Sequence, residues 1–180
     1  MNIRSIYQRI GVEAFYRNAA QPGGMRYENP HAREVEALLR KNAAQLPLES
    51  VLDLACGTGL ITSVLKDLGF DAIGLDQFLG SDYTARTGRP CYQMSFKEVA
   101  YGGLPNHKFS CIICSFALHL CPKSMMPDLL WRLSERSNTL VVISPTKFPL
   151  IGKPEVENFY STSANKRIHF RTYNLPILHD

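Results

Sequence analysis

Short apolar runs alternate with longer amphipathic segments from about Ser50 onward. The runs at 51–54, 71–76, 109–116 and 139–144 are typical of strands buried in a parallel sheet, and a short strand is expected near 91–94. Between them, 59–68 and 125–133 carry apolar residues at helical spacing. Strands alternating with helices predict an α/β fold, a Rossmann-like, mainly parallel sheet with helices on both faces.

Further elements are expected on both sides of this alternating region. A helix is predicted over 32–41, with Asn29 as its N-cap and Pro30 at its first helical position. Segments 157–163 and 166–173 alternate loosely around Ala164-Asn165. This pattern predicts a C-terminal antiparallel hairpin at one end of the sheet.

The composition is that of one globular domain. The chain has 180 residues, 45% of them apolar and 20% charged, and domains of roughly 100–200 residues are common. We therefore predict a single domain over 1–180, with a Rossmann-like core over 29–180. The net charge of +4 is too weak to indicate a nucleic-acid partner. No apolar run approaches the roughly 18 residues of a membrane helix, and the N-terminus lacks the apolar stretch of a secretory signal, so a cytoplasmic or nuclear location is expected.

The five cysteines predict neither a disulfide framework nor a metal centre. Their number is odd, and four of them lie in or beside apolar runs, which favours a reducing compartment. Cys111 and Cys114 form a C-x-x-C pair, but no second pair follows at zinc spacing. Because free cysteine is among the most buried residue types, we expect both to pack inside a strand.

The segment VLDLACGTG, from Val51 to Gly59, is the strongest chemical signal. It places an acid in a strand, then a glycine turn, then the start of a helix. Gly57 and Gly59 let the backbone turn sharply and approach a ligand, and the helix start offers unpaired N–H groups. Asp76 ends the next predicted strand, where a carboxylate can accept both hydroxyls of a ribose.

A nicotinamide dinucleotide site has a similar layout but fits less well. Its fingerprint is G-x-G-x-x-G, and Thr62 stands at the third glycine position. S-adenosylmethionine (SAM) carries a sulfonium and an ammonium and has no pyrophosphate. A carboxylate such as Asp53 near the turn therefore favours SAM.

VLDLACGTG, with Asp76 closing GLDQ, resembles motifs I and II of the class I SAM-dependent methyltransferases. The resemblance covers about 48–173 and implies a seven-stranded sheet whose last strand is antiparallel. It places the methionine part of SAM at the glycine turn, the ribose at Asp76 and the adenine beside Gln77. The cofactor-binding residues that it implies are Asp53, Ala55, Cys56, Gly57, Thr58, Gly59, Asp76, Gln77, Ser95, Phe96, Ser115 and Phe116.

Two of these positions carry specific expectations. At Ser95 and Phe96, such enzymes usually present an acidic or polar side chain to the adenine amine, and this chain departs from that pattern. Ser115 and Phe116 end the fourth strand, where cofactor and acceptor usually meet.

Residues outside the motif are candidates for the acceptor chemistry. His119, after the fourth strand, either acts as a general base or hydrogen-bonds the backbone as a structural residue. His31, in the first turn of the helix predicted over 32–41, has the same two interpretations.

Aromatic residues crowd the segment before the sheet, and two interpretations are open for them. Tyr7, Phe15, Tyr16 and Tyr27 either pack as ordinary core or belong to a lid, formed by residues 1–28, over the cofactor. We predict the lid, with Tyr16 at the cofactor and Tyr27 and Asn29 at the substrate.

The string at 165–173 is basic and aromatic. It either contacts RNA or forms a solvated strand face on which Arg167, His169 and Arg171 alternate with other residues, and we favour the second interpretation. The expected function is methyl transfer from SAM, with S-adenosylhomocysteine (SAH) as product, to a small molecule in preference to a macromolecule. A catalytically inactive SAM-binding subunit or activator, and an RNA or protein methyltransferase, remain alternatives. No metal is implied, and the oligomeric state is left open.

Overall fold

A computed structural model describes residues 6, 9–21, 27–147 and 151–175. In these ranges a seven-stranded sheet has the order β3-β2-β1-β4-β5-β7-β6, with helices on both faces. The strands are β1 (Val51–Leu54), β2 (Ala72–Leu75), β3 (Cys91–Tyr92), β4 (Cys111–Ser115), β5 (Thr139–Ser144), β6 (Val156–Ser161) and β7 (Arg167–Asn174). The strands β1 to β5 pair in parallel, whereas β7 is antiparallel to both β5 and β6. The predicted Rossmann-like sheet with its C-terminal hairpin is confirmed.

The helices of the described ranges connect the strands in the order that the alternation predicts. They are α1 (Val12–Ala19), α2 (Ala32–Asn42), α3 (Leu60–Asp67), α4 (Gly80–Thr87), α5 (Phe96–Glu98) and α6 (Met126–Ser134). A π-helical turn follows α5 over Val99–Gly103, and 3₁₀ turns cover Ala43–Gln45 and Leu118–Leu120.

The start of α2 differs from the prediction. His31, not Asn29, occupies the N-cap position, and Pro30 precedes the helix. Asn29 instead forms a turn in front of it: its Oδ1 accepts from the His31 N–H at 2.9 Å, and its carbonyl accepts from the Ala32 N–H at 3.1 Å. The polar side chain therefore caps the turn and not the helix.

The sheet divides the core into two layers. Leu52, Ile112 and Cys114 belong to the layer that includes Leu129 of α6, and Cys111 belongs to the layer of α2 and α3. Since neighbouring residues of a strand point to opposite faces, Cys111 and Cys114 lie on opposite sides of the sheet. They cannot bind one ion together.

The prediction that the basic string at 165–173 forms a solvated strand face is wrong for two of its residues. Within β7, His169 is 7% exposed and Arg171 only 1% exposed. Glu157 on β6 accepts from Arg171 Nε at 2.9 Å and lies 2.8 Å from His169 Nδ1. Arg171 Nη1 and Nη2 also donate to the carbonyls of Thr146 and Lys147, at 2.9 and 2.8 Å. These side chains therefore anchor the hairpin and the loop after β5, whereas Lys166 and Arg167 of the string are exposed.

Among the described residues, every helix is too short or too polar to cross a membrane.

Candidate functional site

A cavity of about 270 Å³ opens where β1, β2 and β4 end. The predicted residues that line it are Tyr16, Tyr27, Asn29, Asp53, Ala55, Cys56, Gly57, Thr58, Asp76, Gln77, Ser95, Phe96, Ser115 and Phe116. The carboxyl edge of a parallel sheet, next to its first strand, is where α/β proteins commonly bind ligands. The structure therefore brings most of the predicted site residues together. The contacts of these residues with a ligand stay a prediction.

The turn after β1 needs the backbone freedom that its glycines provide. Gly57 has φ +54° and Gly59 has φ +86°, and Ala55 also adopts a positive φ of +56°. The Gly59 N–H donates to the Cys56 carbonyl at 2.9 Å, which closes the turn in front of α3. Gly59 does not itself line the cavity, so its role is to shape the turn.

Asp76 anchors the turn from the end of β2. Its Oδ2 accepts from the Gly57 N–H at 2.9 Å, and its Oδ1 accepts from the N–H groups of Phe78 and Leu79 at 2.8 and 2.9 Å. A carboxylate has about four acceptor positions, so three are in use and Oδ2 retains one. Asp76 thus joins two loops in addition to its predicted ribose role.

Asp53 is the buried carboxylate of the cavity, at 1% exposure. Burial raises its pKa to about 7, although hydrogen bonds from Thr62 act in the opposite direction. Thr62 donates to Asp53 Oδ2 from its hydroxyl at 2.8 Å and from its N–H at 3.2 Å. Thr62 occupies the position of the third glycine in a dinucleotide fingerprint, and it is used here to hold an acid. Among the described residues no cationic side chain hydrogen-bonds Asp53, and a buried acid of this kind suits a positively charged ligand.

Ser95, which departs from the usual pattern at the adenine-contacting position, has a structural role. Its side chain caps α5: Ser95 Oγ accepts from the Glu98 N–H at 3.2 Å, and Ser95 N and Oγ both donate to Glu98 Oε2 at 2.7 Å. This is a capping box. The hydroxyl of Ser95 is therefore engaged within the chain, although the residue lines the cavity.

Two features at the end of β4 are typical of a binding site. The Ser115 hydroxyl is buried and has no hydrogen-bond partner among the described residues. Phe116 has φ +56°, a strained angle for a residue with a side chain. Buried polar groups normally find partners, so a ligand group is expected to bond Ser115.

The N-terminal segment covers the glycine turn. Tyr16 of α1 lies parallel to Phe78, with ring centroids 6.4 Å apart, and packs edge-on against Tyr27 at 5.2 Å. A Cβ built on Gly57 would lie 3.7 Å from Cε1 of Tyr27. Tyr7 lies outside the described residues. The position of Tyr16 and Tyr27 supports the lid as a proposal.

The two candidate histidines stand apart from the cavity lining. His119 is exposed on the turn Leu118–Leu120 and does not line the cavity. His31 lies behind the lining, where its ring stacks on Phe116 with centroids 5.5 Å apart. The catalytic roles of both histidines stay predictions. His31 contacts the cavity wall through Phe116.

Three polar or aromatic lining residues were not predicted: Glu28, Phe78 and Arg86. Arg86 reaches the turn from α4, where its Nη1 donates to Thr58 Oγ1 at 3.3 Å. Glu28 lies between the predicted substrate residues Tyr27 and Asn29, and this adjacency was the one available sequence signal for it.

Alanine substitutions at Gly57 and Gly59 will lower the stability of the fold by different amounts. Both carry a positive φ, which costs a residue with a side chain about 1 kcal/mol. At Gly57 the new Cβ makes an ordinary contact, whereas at Gly59 it would lie 2.5 Å from Thr87 Cγ2. Urea denaturation should show a loss of about 1 kcal/mol for Gly57→Ala and about 3 kcal/mol for Gly59→Ala. Equal losses would contradict the assigned packing.

The chain resembles known proteins in sequence and in structure. A family model described as a methyltransferase domain matches residues 52–135. An uncharacterized protein of Schizosaccharomyces pombe is 28% identical, and the match covers 81% of this chain and 75% of that protein.

Solved structures show the same fold at low sequence identity. The N-methyltransferase NodS from Bradyrhizobium japonicum WM9, in complex with SAH, has a TM-score of 0.68 at 13% identity over 91% of this chain and 97% of that chain. The magnesium protoporphyrin IX methyltransferase from Synechocystis PCC 6803, with bound SAM, has a TM-score of 0.62 at 13% identity over 96% and 95%.

Proposed function

We propose that this chain is a SAM-dependent methyltransferase of the class I superfamily and that it methylates a small molecule. The observation that carries this proposal is the composition of the cavity wall. One part is formed by the glycine turn and Asp76, and another by Tyr27, Glu28 and Asn29, which precede α2. Cofactor and acceptor would thus share one cavity.

Several residues of the cavity suit the chemical groups of SAM. Asp53 supplies a counter-charge for the cationic groups of the cofactor, Asp76 accepts from its ribose, and Phe78 offers an aromatic face near Gln77. When bound, SAM supplies a methyl group that its sulfonium has already activated. What the chain adds is alignment and the exclusion of water, which together can contribute roughly 7–11 kcal/mol.

The wall near α2 has the features of an acceptor site. Glu28 and Asn29 offer polar groups, and Tyr27 and Phe116 offer aromatic faces. The hydroxyl of Ser115, which has no hydrogen-bond partner among the described residues, is available to a ligand. A few placed polar groups in an aromatic wall are typical of small-molecule pockets, which measure roughly 300–1,000 Å³. The cavity of about 270 Å³ lies just below this range and would also have to hold SAM, so the space that is left favours a compact acceptor.

The surface of the described residues supports a small acceptor over RNA. The basic string was the main nucleic-acid candidate, and its His169 and Arg171 are buried against Glu157. They cannot contact a phosphate backbone without unfolding the hairpin. This leaves the exposed Lys166 and Arg167 and the overall charge of +4, which together are weak as a nucleic-acid signal.

The proposed lid has its own prediction. Because Tyr16 of α1 packs against Tyr27, whose ring lies beside Gly57, SAH should slow amide hydrogen exchange across Val12–Ala19. The matched control is α6, Met126–Ser134, which does not line the cavity and should exchange equally with and without SAH. Equal exchange of α1 in both states would show that the segment only stabilises the fold.

Methyl transfer to defined acceptors tests the function. The purified chain is incubated with SAM and, separately, with amines, phenols, thiols, carboxylates, total RNA and a peptide mixture, and SAH is quantified. We expect SAH above background with one small-molecule class, and a loss of that signal in Asp53→Asn. SAH release with RNA or peptides alone would contradict the small acceptor. SAM binding without any turnover, until a partner protein is added, would favour the activator alternative.

A further inference from the structure

Two cysteines meet beside the cavity although 35 positions separate them in the chain. The sulfurs of Cys56, in the glycine turn, and Cys91, at the start of β3, lie 3.7 Å apart. Gly74 of β2 pairs with Cys91, and a Cβ built on it would lie 2.8 Å from the Cys56 sulfur. A side chain at position 74 would therefore displace the Cys56 sulfur. Because Gly74 has no side chain, the two sulfurs have room to meet.

The two thiols differ in exposure and in acidity. Cys56 is 7% exposed, whereas Cys91 is half-buried. The hydrogen-bond contact with Cys56 lowers the pKa of Cys91, and burial raises the pKa of Cys56. The more accessible sulfur is thus the one that loses its proton more readily. An accessible, acidic thiol next to a second thiol is the arrangement in which oxidation is selective.

The other cysteines lack these features. Cys111 and Cys114 lie within β4 on opposite faces of the sheet, and burial raises the pKa of each to about 12. Cys121 is buried, which raises its pKa as well. Reactivity toward oxidants should therefore concentrate at Cys91.

We propose that Cys56 and Cys91 are a modification site at which a hydroperoxide forms a reversible disulfide and thereby weakens cofactor binding. The thiolate of Cys91 attacks a peroxide oxygen and the O–O bond breaks, so that Cys91 becomes a sulfenic acid and hydroxide leaves. The hydroxide takes up the proton that the Cys91 thiol had released and becomes the first water. The Cys56 sulfur then attacks the Cys91 sulfur, the S–O bond breaks, and the hydroxyl leaves as water with the proton of Cys56. In sum, two thiols and one hydrogen peroxide give one disulfide and two waters, with two electrons passing from sulfur to oxygen.

Disulfide formation would act directly on the cavity. A disulfide has an S–S length of about 2.05 Å, so the sulfurs must approach from 3.7 Å. Cys56 lines the cavity and precedes Gly57, whose N–H donates to Asp76. A shift of Cys56 toward β3 therefore moves the turn that is predicted to hold SAM. Only this second half of the proposal rests on the proposed function.

Peptide mapping of the full chain tests the bond itself. Hydrogen peroxide should remove two hydrogen masses and yield one cross-linked peptide pair that contains Cys56 and Cys91, and dithiothreitol should reverse this. Before oxidation, N-ethylmaleimide should label Cys91 faster than any other cysteine. A cross-link between other cysteines, or equal labelling of all five, would overturn the site, and this readout requires neither SAM nor activity.

Calorimetry with SAH tests the consequence. The oxidised chain should bind SAH roughly tenfold more weakly than the reduced chain, with recovery after reduction. Cys91→Ser should bind SAH normally and resist peroxide, and the matched control Cys121→Ser should respond as the parent does. If Cys91→Ser does not fold, the oxidised and reduced forms of the parent still decide the matter. A mapped cross-link with unchanged affinity would refute the coupling, whereas no SAH binding by the reduced chain would refute the proposed function and leave the disulfide standing.

Discussion

Replacing Asp53 with asparagine will weaken SAM binding at pH 8 by roughly tenfold to a hundredfold. The carboxylate is buried in the cavity and held by Thr62, and no cationic side chain is among its hydrogen-bond partners in the described residues. A hydrogen bond to a charged group contributes about 1.5–3 kcal/mol. Asparagine keeps the size of the side chain but removes the charge that the cationic cofactor requires.

The same residue sets the pH dependence of binding. Because burial raises the pKa of Asp53 to about 7, the carboxyl is charged above that pH and becomes neutral below it. The affinity of the parent chain for SAM should therefore fall as the pH drops from 8 to 6, and Asp53→Asn should show no such fall. Titration calorimetry across this range measures both chains.

Stability should respond to pH in the opposite direction. The pKa in the folded state, about 7, lies above the usual value of 3.8, so the folded state holds this proton more tightly than the unfolded state. The contribution is present below about pH 4 and is lost as the pH rises through about 7, with a ceiling of about 4 kcal/mol. At pH 8, Asp53→Asn should thus resist urea better than the parent. The exposed Asp82→Asn is the matched control, and a similar gain there would contradict the role of Asp53.

Replacing Arg171 with alanine will destabilise the fold by about 3 kcal/mol, the lower end of the cost of breaking a buried ion pair. Its guanidinium is 1% exposed and bonds Glu157 and the carbonyls of Thr146 and Lys147. Removal leaves these carbonyls without their donor and opens a space in the hairpin. Since the Glu157 side chain is 39% exposed, water can compensate part of the loss.

Arg167 provides a control on the same strand. It is exposed, and its guanidinium carbon lies 4.4 Å from the centroid of the Phe159 ring, a contact that contributes about 0.5–1 kcal/mol at the surface. Urea denaturation should show a loss of less than about 1 kcal/mol for Arg167→Ala. Similar losses for the two variants would mean that the buried network does not stabilise the hairpin.

The sheet was predictable because its signals are local. Four buried strands are indicated by apolar runs in the sequence. The observed bounds of two of them, Val51–Leu54 and Thr139–Ser144, agree residue by residue with the prediction. The glycine turn was predictable for the same reason, since Gly57 and Gly59 do adopt positive φ. Such features depend on neighbours in the chain and not on distant packing.

Features that depend on distant contacts were not predictable. Alternation in β7 indicated two faces, but only the pairing of β7 with β6 and β5 shows that Arg171 points into the protein. Likewise, the contact of Cys56 with Cys91 and the approach of Arg86 to the turn arise from the stacking of β3 and α4 beside β2. The exposure of His119 has the same origin, because it depends on how the short turn after β4 is placed.

Calorimetric titration of the reduced chain with SAM tests the central claim most directly, namely that the cavity at the ends of β1, β2 and β4 binds this cofactor. We predict one site per chain with micromolar affinity at pH 8, a similar response to SAH and no heat with NAD. The absence of binding to SAM and SAH, alongside a clear response to NAD, would contradict the claim.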